Sequence, residues 1–136
     1  MTESKLGIGA VLFIKEFKFE NGNIKDKLFV VLGAREGKDY LCAAATSKQW
    51  KMGATTGCHH NPRTYFYILG DGKNFFEQNT WILLSYKKIF KTGWLLNEKF
   101  QGRATIIGNL NQNITGQIRN CLKASKDISA LELDLL

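Results

Sequence analysis

Proline and cysteine are scarce in this sequence, and its apolar runs are short. With one proline, Pro62, and no serine-rich or glycine-rich tract, nothing marks a linker, so we expect a single domain over residues 1–136. The longest apolar stretch, Leu6 to Ile14, is too short to cross a bilayer and lacks the pattern of a signal peptide, which predicts no membrane association. Three cysteines, an odd count, argue against a disulfide framework and favour the reducing cytoplasm.

Acidic residues are nearly absent from one part of the chain. Residues 82–126 contain eight bases and a single acid, Glu98, and this excess of seven equals the formal net charge of the whole chain, +7. The eight are Lys87, Lys88, Lys91, Lys99, Arg103, Arg119, Lys123 and Lys126. Such a concentration favours a polyanionic partner, and the alternative is a basic surface that binds nothing specific.

Two common enzyme motifs are also missing. Gly7-Ile8-Gly9 begins a Gly-x-Gly pattern but leads into a strand instead of a helix, so a dinucleotide or phosphate loop is not supported. The chain contains no Gly-x-Ser-x-Gly sequence, which leaves a serine hydrolase without support.

Short apolar runs rich in β-branched and aromatic residues indicate a mainly β fold. Turn signals at 20–23, 35–39 and 70–73 separate these runs, which cover residues 9–14, 27–32, 40–46, 65–69, 80–84 and 87–90. Closely spaced antiparallel strands of this kind are typical of a small barrel or a strongly bent sheet.

A helix is predicted late in the chain. Leu110, Ile114, Ile118 and Leu122 recur at every fourth position, with Cys121 on the same stripe. Asn109 or Asn111 provides a candidate N-cap, and Asp127 or Ser129 starts a second short helical turn at the C-terminus.

One juxtaposition of polar residues follows from the predicted strands. If the second and third strands pair antiparallel, Lys25 and Lys27 at the start of one meet Thr46 at the end of the other. Two ammonium groups and a hydroxyl would then form a phosphodiester site, with Thr46-Ser47-Lys48 beside it. The alternative is a pair of solvated lysines flanking a strand.

Cys58-His59-His60 is the obvious candidate for a metal site. Zinc needs four ligands, or three and a water, in paired spacings that this sequence lacks, and neighbouring histidines of an extended segment point apart. We therefore predict no metal, and the alternative is a metal-assisted enzyme that uses Cys58, His59 and His60. The two imidazoles could instead serve as general acid and base in RNA cleavage.

The order of these segments resembles the MazF/PemK family of toxins. The resemblance runs over 9–14, 17–22 and 25–32, then Ala44-Ala45-Thr46-Ser47-Lys48, Thr80-Trp81-Ile82-Leu83-Leu84 and Ile106-Ile107-Gly108-Asn109-Leu110. It implies a mainly β, SH3-like small barrel of the plasmid-maintenance toxin type with a C-terminal helix. Where the family has arginine and then proline, this chain has Lys27-Leu28, and lysine is a point charge without arginine's bidentate reach.

The same resemblance implies a function, partners and site residues. The implied protein is a metal-independent endoribonuclease that cleaves single-stranded RNA without a cofactor. The resemblance also implies a cytoplasmic homodimer that is neutralised by an acidic antitoxin. It implies catalytic roles for Lys27 and Thr46, and substrate contacts for Lys25, Ser47, Lys48 and Trp81. The alternative is a non-catalytic module on the same barrel that binds nucleic acid or protein.

Overall fold

Seven strands and three helices form the part of the chain that the structure, a computed structural model, describes: residues 6–35, 39–126 and 128–136. The strands pair antiparallel in one sheet with the order β4-β5-β6-β3-β2-β1-β7. In chain order the elements are β1 (Ala10–Lys18), β2 (Ile24–Ala34), β3 (Asp39–Thr46), β4 (Gly57–His59), β5 (Tyr65–Ile68), β6 (Thr80–Lys91), α1 (Thr92–Phe100), β7 (Ala104–Asn109), α2 (Gln112–Lys123) and α3 (Ala130–Leu135). The predicted mainly β fold with a C-terminal helix is confirmed.

The sheet bends but does not close within the described residues. Its ladder ends at β4 on one side and at β7 on the other. Bulges interrupt β1 between Ile14 and Phe17 and β2 between Val31 and Gly33, and such irregularities increase local twist. Glu16, inside the first bulge, has a left-handed φ of 54°, and its N–H donates a hydrogen bond of 3.0 Å to the side-chain Oδ1 of Asp26 in β2.

Both faces of the sheet are buried, one under α2 and α3 and the other under α1. Since the side chains of a strand alternate between the two faces, a strand such as β2 contributes to both cores. On β2, Val30 and Leu32 belong to the core packed under α2 and α3, whereas Phe29 and Val31 belong to the core under α1. The consecutive alanines 43–45 of β3 divide between these two cores in the same way. Small residues also allow close approach: a Cβ on Gly33 would collide with the main chain of Leu135 in α3.

The late helix begins where the sequence predicted. Asn111 is the N-cap of α2, and its Oδ1 accepts a hydrogen bond of 2.8 Å from the N–H of Ile114. Ser129 caps α3 in a reciprocal capping box with Glu132, while Asp127, the alternative start, lies outside the described residues. No helix in the described ranges has the length and apolar character needed to span a membrane.

Three elements were not predicted, and two predicted runs merge. β4, α1 and β7 are additional, and the runs 80–84 and 87–90 form the single strand β6. β5 and β6 form the antiparallel hairpin that the turn signal at 70–73 predicted, but a longer loop, residues 69–79, connects them.

The expectation from the odd cysteine count was wrong. Cys58 of β4 and Cys121 of α2 form a disulfide, and Cys42 remains a free thiol buried in β3. An odd count excludes complete pairing only; it does not exclude one pair whose members are separated by 63 positions.

Candidate functional site

The ends of β2 and β3 form the floor of the candidate site. The register pairs Leu28 with Ala45, so Lys27 and Thr46 occupy the next opposed positions. The antiparallel pairing predicted for these two strands is therefore confirmed, and with it the juxtaposition of the lysines and the threonine.

Two adjoining grooves share this floor. The larger, of about 640 Å³, and the smaller, of about 370 Å³, are both lined by Asp26, Lys27, Thr46 and Lys48. Ser47 lines the larger groove and Lys25 the smaller one. Five of the six residues that the sequence singled out are therefore brought together at one open surface.

The three ammonium groups affect one another electrostatically. Burial lowers the pKa of the half-buried Lys27 below its ordinary value, and the positive charges of Lys25 and Lys48 lower it further. Like charges gathered in this way make the groove a favourable place for an anion, because an anion would relieve their mutual repulsion.

Thr46 is held in a fixed geometry. Its Oγ1 accepts a hydrogen bond of 3.1 Å from the N–H of Lys48, which is a local turn typical of hydroxyl side chains at strand ends. Because this bond uses the oxygen as acceptor, the hydroxyl proton can still be donated to a bound oxyanion.

Trp81 is not brought to the grooves. Its ring is 3% exposed, packs against Tyr67 at 5.0 Å between centroids, and donates from Nε1 to the carbonyl of Gly53 at 2.9 Å. The hydroxyl of Tyr65 accepts from the N–H of the same glycine at 2.7 Å. Trp81 pairs with Thr46 across the β3–β6 ladder, so it supports the site from behind and anchors the segment that follows Lys48.

The wall of the larger groove comes from the loop 69–79, which sequence reasoning missed. Phe75, Phe76, Glu77 and Gln78 all line this groove. The loop is pinned at its neck, where the N–H of Gly70 donates to Oδ1 of Asn79 at 2.9 Å. The sequence marks this loop by its turn-forming start and by the adjacent aromatic residues Phe75 and Phe76, but neither signal tells where the loop lies relative to Lys27 and Thr46.

Two contacts fix this wall against the end of the sheet. Phe75 has a left-handed φ of 74°, and its ring lies so close to Gly108 of β7 that a Cβ there would collide with it. Asn74 accepts a hydrogen bond from Asn111, the residue that caps α2. The backbone conformation of Phe75 is costly, and such strain is found where a side chain must hold a required position.

Carboxylates complete the site. Asp26 lies between the two lysines in sequence, but its Oδ1 already accepts from the N–H of Glu16 and so orders the β1 bulge. Glu77, on the opposite wall of the larger groove, is exposed. Cations, a hydroxyl and an acid thus face one open groove, a set that can bind a phosphodiester and move protons at it.

The basic segment 82–126 lies elsewhere and is partly neutralised. Lys88 pairs with Glu20 at 2.6 Å, Lys87 lies 3.6 Å from Glu132, and Arg103 pairs with Glu98. Part of the positive excess therefore holds elements of the fold together instead of facing solvent.

No protein-family model and no curated protein matches this chain. The resemblance to MazF/PemK toxins therefore stays a prediction from the sequence.

Proposed function

We propose that this protein is a metal-independent endoribonuclease of the MazF/PemK toxin type that cleaves single-stranded RNA at the grooves around Lys27 and Thr46. One observation carries the proposal: the three lysines 25, 27 and 48 converge with the hydroxyl of Thr46 on one open surface. A like-charge cluster costs folding free energy, and binding of a polyanionic ligand offsets that cost.

The reaction requires no cofactor. The 2′-oxygen of a ribose attacks the adjacent phosphorus, the bond to the 5′-oxygen of the next nucleotide breaks, and a 2′,3′-cyclic phosphate and a 5′-hydroxyl result. Lys27 stabilises the charge that develops on the phosphorane, and Thr46 donates a hydrogen bond to a non-bridging oxygen. The lowered pKa of Lys27 also makes its ammonium a better proton donor to the departing 5′-oxygen.

We assign the acceptance of the 2′-hydroxyl proton to Glu77. It is a carboxylate on the wall of the groove that Lys27 and Thr46 line, and the other acid there, Asp26, is engaged with the β1 bulge. The half-buried ring of Phe75 on the same wall is suited to stacking against an unpaired base, which favours single-stranded substrates.

The remaining expectations of the resemblance belong to this proposal. They are the SH3-like barrel of the toxin type, a cytoplasmic homodimer, and an acidic antitoxin. Lys91, Lys99, Lys123 and Lys126 of the basic segment are exposed and would attract such an antitoxin.

The test is cleavage of a mixed-sequence single-stranded RNA in EDTA, with single-stranded DNA of the same sequence as the substrate control. We expect cleavage of the RNA only, because DNA lacks the attacking 2′-hydroxyl. Lys27→Ala, Thr46→Ala and Glu77→Gln should each lose it, whereas Lys123→Ala, which removes a charge far from the grooves, should retain it. Intact RNA with the folded protein under all of these conditions would overturn the proposal.

The second candidate is the non-catalytic binding module, and the lysine at position 27 favours it. Lysine makes a single-point contact with phosphate where the family's arginine makes two. This module would bind the same RNA without turnover. Three lysines that neutralise three phosphates would give a slope of about −2 in a plot of log affinity against log salt.

A further inference from the structure

A second cluster of reactive side chains lies where β4 meets α2. Cys58, His60 and Cys121 place one sulfur or nitrogen ligand atom each within 4.8 Å of one another. Sγ of Cys58 lies 3.3 Å from Nε2 of His60 and is bonded to Sγ of Cys121. None of these residues lines the grooves around Lys27.

The orientation of His60 is fixed by a chain of hydroxyl groups. Thr64, which is 4% exposed, donates from Oγ1 to Oγ of Ser125 at 3.1 Å. Because its proton is used there, Thr64 Oγ1 accepts from Nδ1–H of His60, 3.3 Å away. This leaves the lone pair of His60 on Nε2, the nitrogen that faces the sulfurs. Histidines that bind metals are typically held in this way, with the second ring nitrogen donating to a protein oxygen.

The other residues of the same types are excluded from the cluster. His59 points away, with Nε2 at 2.6 Å from the carbonyl of Thr55 and its ring stacked on Tyr65 at 4.6 Å. Cys42 is fully buried in the core under α1, and burial raises the pKa of its thiol far above its ordinary value. His59 and Cys42 therefore lie outside the cluster of Cys58, His60 and Cys121, and substitutions at these two positions provide matched controls.

We propose that reduced Cys58 and Cys121, together with Nε2 of His60, bind a thiophilic divalent cation such as Zn²⁺, and that the disulfide is the closed state of this site. Tetrahedral zinc with bonds of about 2.3 Å to sulfur and about 2.0 Å to nitrogen places sulfur and nitrogen ligands about 3.5 Å apart. The separation of Cys58 and His60 is already close to this value. Only the two sulfurs need to move apart, and cleavage of their bond permits that.

The two states interconvert by balanced chemistry. A dithiol reductant attacks the disulfide, the sulfur–sulfur bond breaks, and two electrons and two protons pass to the cysteines while the reductant becomes a disulfide. Binding of the cation then releases the two thiol protons to solvent. Since Cys58 and His60 are exposed, the fourth ligand position opens to solvent and the cation can exchange.

This site is separate from the proposed ribonuclease chemistry, and a chelator distinguishes them. EDTA should remove the cation without affecting RNA cleavage, which needs no metal. Failure of either proposal would therefore leave the other standing.

The test uses the full chain, reduced with an excess of a non-chelating reductant, freed of metal, and titrated with Co²⁺ and then Zn²⁺. We expect one Co²⁺ per chain with a thiolate-to-cobalt charge-transfer band, displacement of Co²⁺ by Zn²⁺, and no binding by the oxidised chain. Cys58→Ser, Cys121→Ser and His60→Ala should each weaken binding more than tenfold. Thr64→Val, which removes the oxygen that orients His60, should weaken it about 10- to 100-fold.

His59→Ala and Cys42→Ala are the matched controls and should bind the cation as the original chain does. Circular dichroism shows whether the reduced chain keeps its fold. If reduction unfolds the chain, Zn²⁺ should restore the native spectrum. The proposal is wrong if the reduced chain shows no charge-transfer band and gains no structure with Zn²⁺. It is equally wrong if His60→Ala binds as well as His59→Ala.

Discussion

Replacement of Lys27 by methionine should make the protein more stable and less active at the same time. Methionine retains the unbranched apolar part of the side chain and removes the charge. Burial disfavours the charge on Lys27 most, and two like charges, Lys25 and Lys48, add to this. Repulsion between exposed like charges costs about 0.3–0.5 kcal/mol per pair, so the Lys27→Met variant should gain about 0.5–1 kcal/mol in free energy of unfolding at neutral pH.

The pH dependence of the free energy of unfolding also reports the cost of the charge on Lys27. Because the pKa of Lys27 is lower in the folded state than in the unfolded state, the folded protein loses this proton first as pH rises. The unfolded state then binds more protons, so the free energy of unfolding increases with pH. This increase falls between the lowered folded-state pKa and the ordinary value of 10.5. The Lys27→Met variant should lack this contribution.

Activity should change in the opposite direction. Loss of a group that stabilises developing charge typically lowers kcat about 10²- to 10³-fold, and we expect a loss of this size in RNA cleavage by Lys27→Met. Urea unfolding followed by circular dichroism and cleavage of single-stranded RNA, both on the same preparations, measure the two effects. Lys123→Met is the charge-matched control. A variant less stable by more than about 1 kcal/mol, or one that cleaves RNA within twofold of the original rate, would refute the reasoning.

Two further predictions concern stability. In a chelating buffer, reduction of the Cys58–Cys121 disulfide should lower the free energy of unfolding by about 4 kcal/mol, because the bond closes a loop of 63 residues. Guanidinium unfolding with and without reductant measures this change, and an unchanged midpoint would contradict the prediction. Gly108→Ala should cost about 1 kcal/mol, since the half-exposed ring of Phe75 must swing away, and should alter RNA affinity by moving the groove wall. Gly116→Ala is its control: nothing lies within 4 Å of the added Cβ in α2, so it should stabilise the chain by about 0.4–1 kcal/mol without changing RNA binding.

The candidate site could be predicted because strand ends follow simple rules. The apolar runs at 27–32 and 40–46 are separated by a short turn, and a short connection makes antiparallel neighbours of them. The residues that flank the runs, Lys25, Lys27 and Thr46, must then meet at the far end of the pair. This inference needed no knowledge of the rest of the chain.

Other features depend on contacts between distant segments and leave no local signal. The N-terminus of α1 has no side-chain cap and contains Gly93, so its helical conformation depends on packing, with Leu95 buried against the sheet. The face to which Trp81 points depends on the register of β6 with β3, which the sequence alone does not reveal. The loop 69–79 reaches the site because Phe75 packs on Gly108, a contact across more than thirty residues.

The basic residues of this chain have two different roles, which the net charge of +7 does not distinguish. Two bases of the segment 82–126 form ion pairs with acids outside it: Lys88 with Glu20 of the hairpin after β1, and Lys87 with Glu132 of α3. Lys87 is only 6% exposed in its side chain, so its charge acts within the fold and contributes little to long-range attraction. The lysines of the grooves instead repel one another: burial lowers the pKa of Lys27 most, and the charges of Lys25 and Lys48 lower it further. An anion therefore gains most at the grooves, and their three lysines, rather than the net charge, should set the salt dependence of RNA binding.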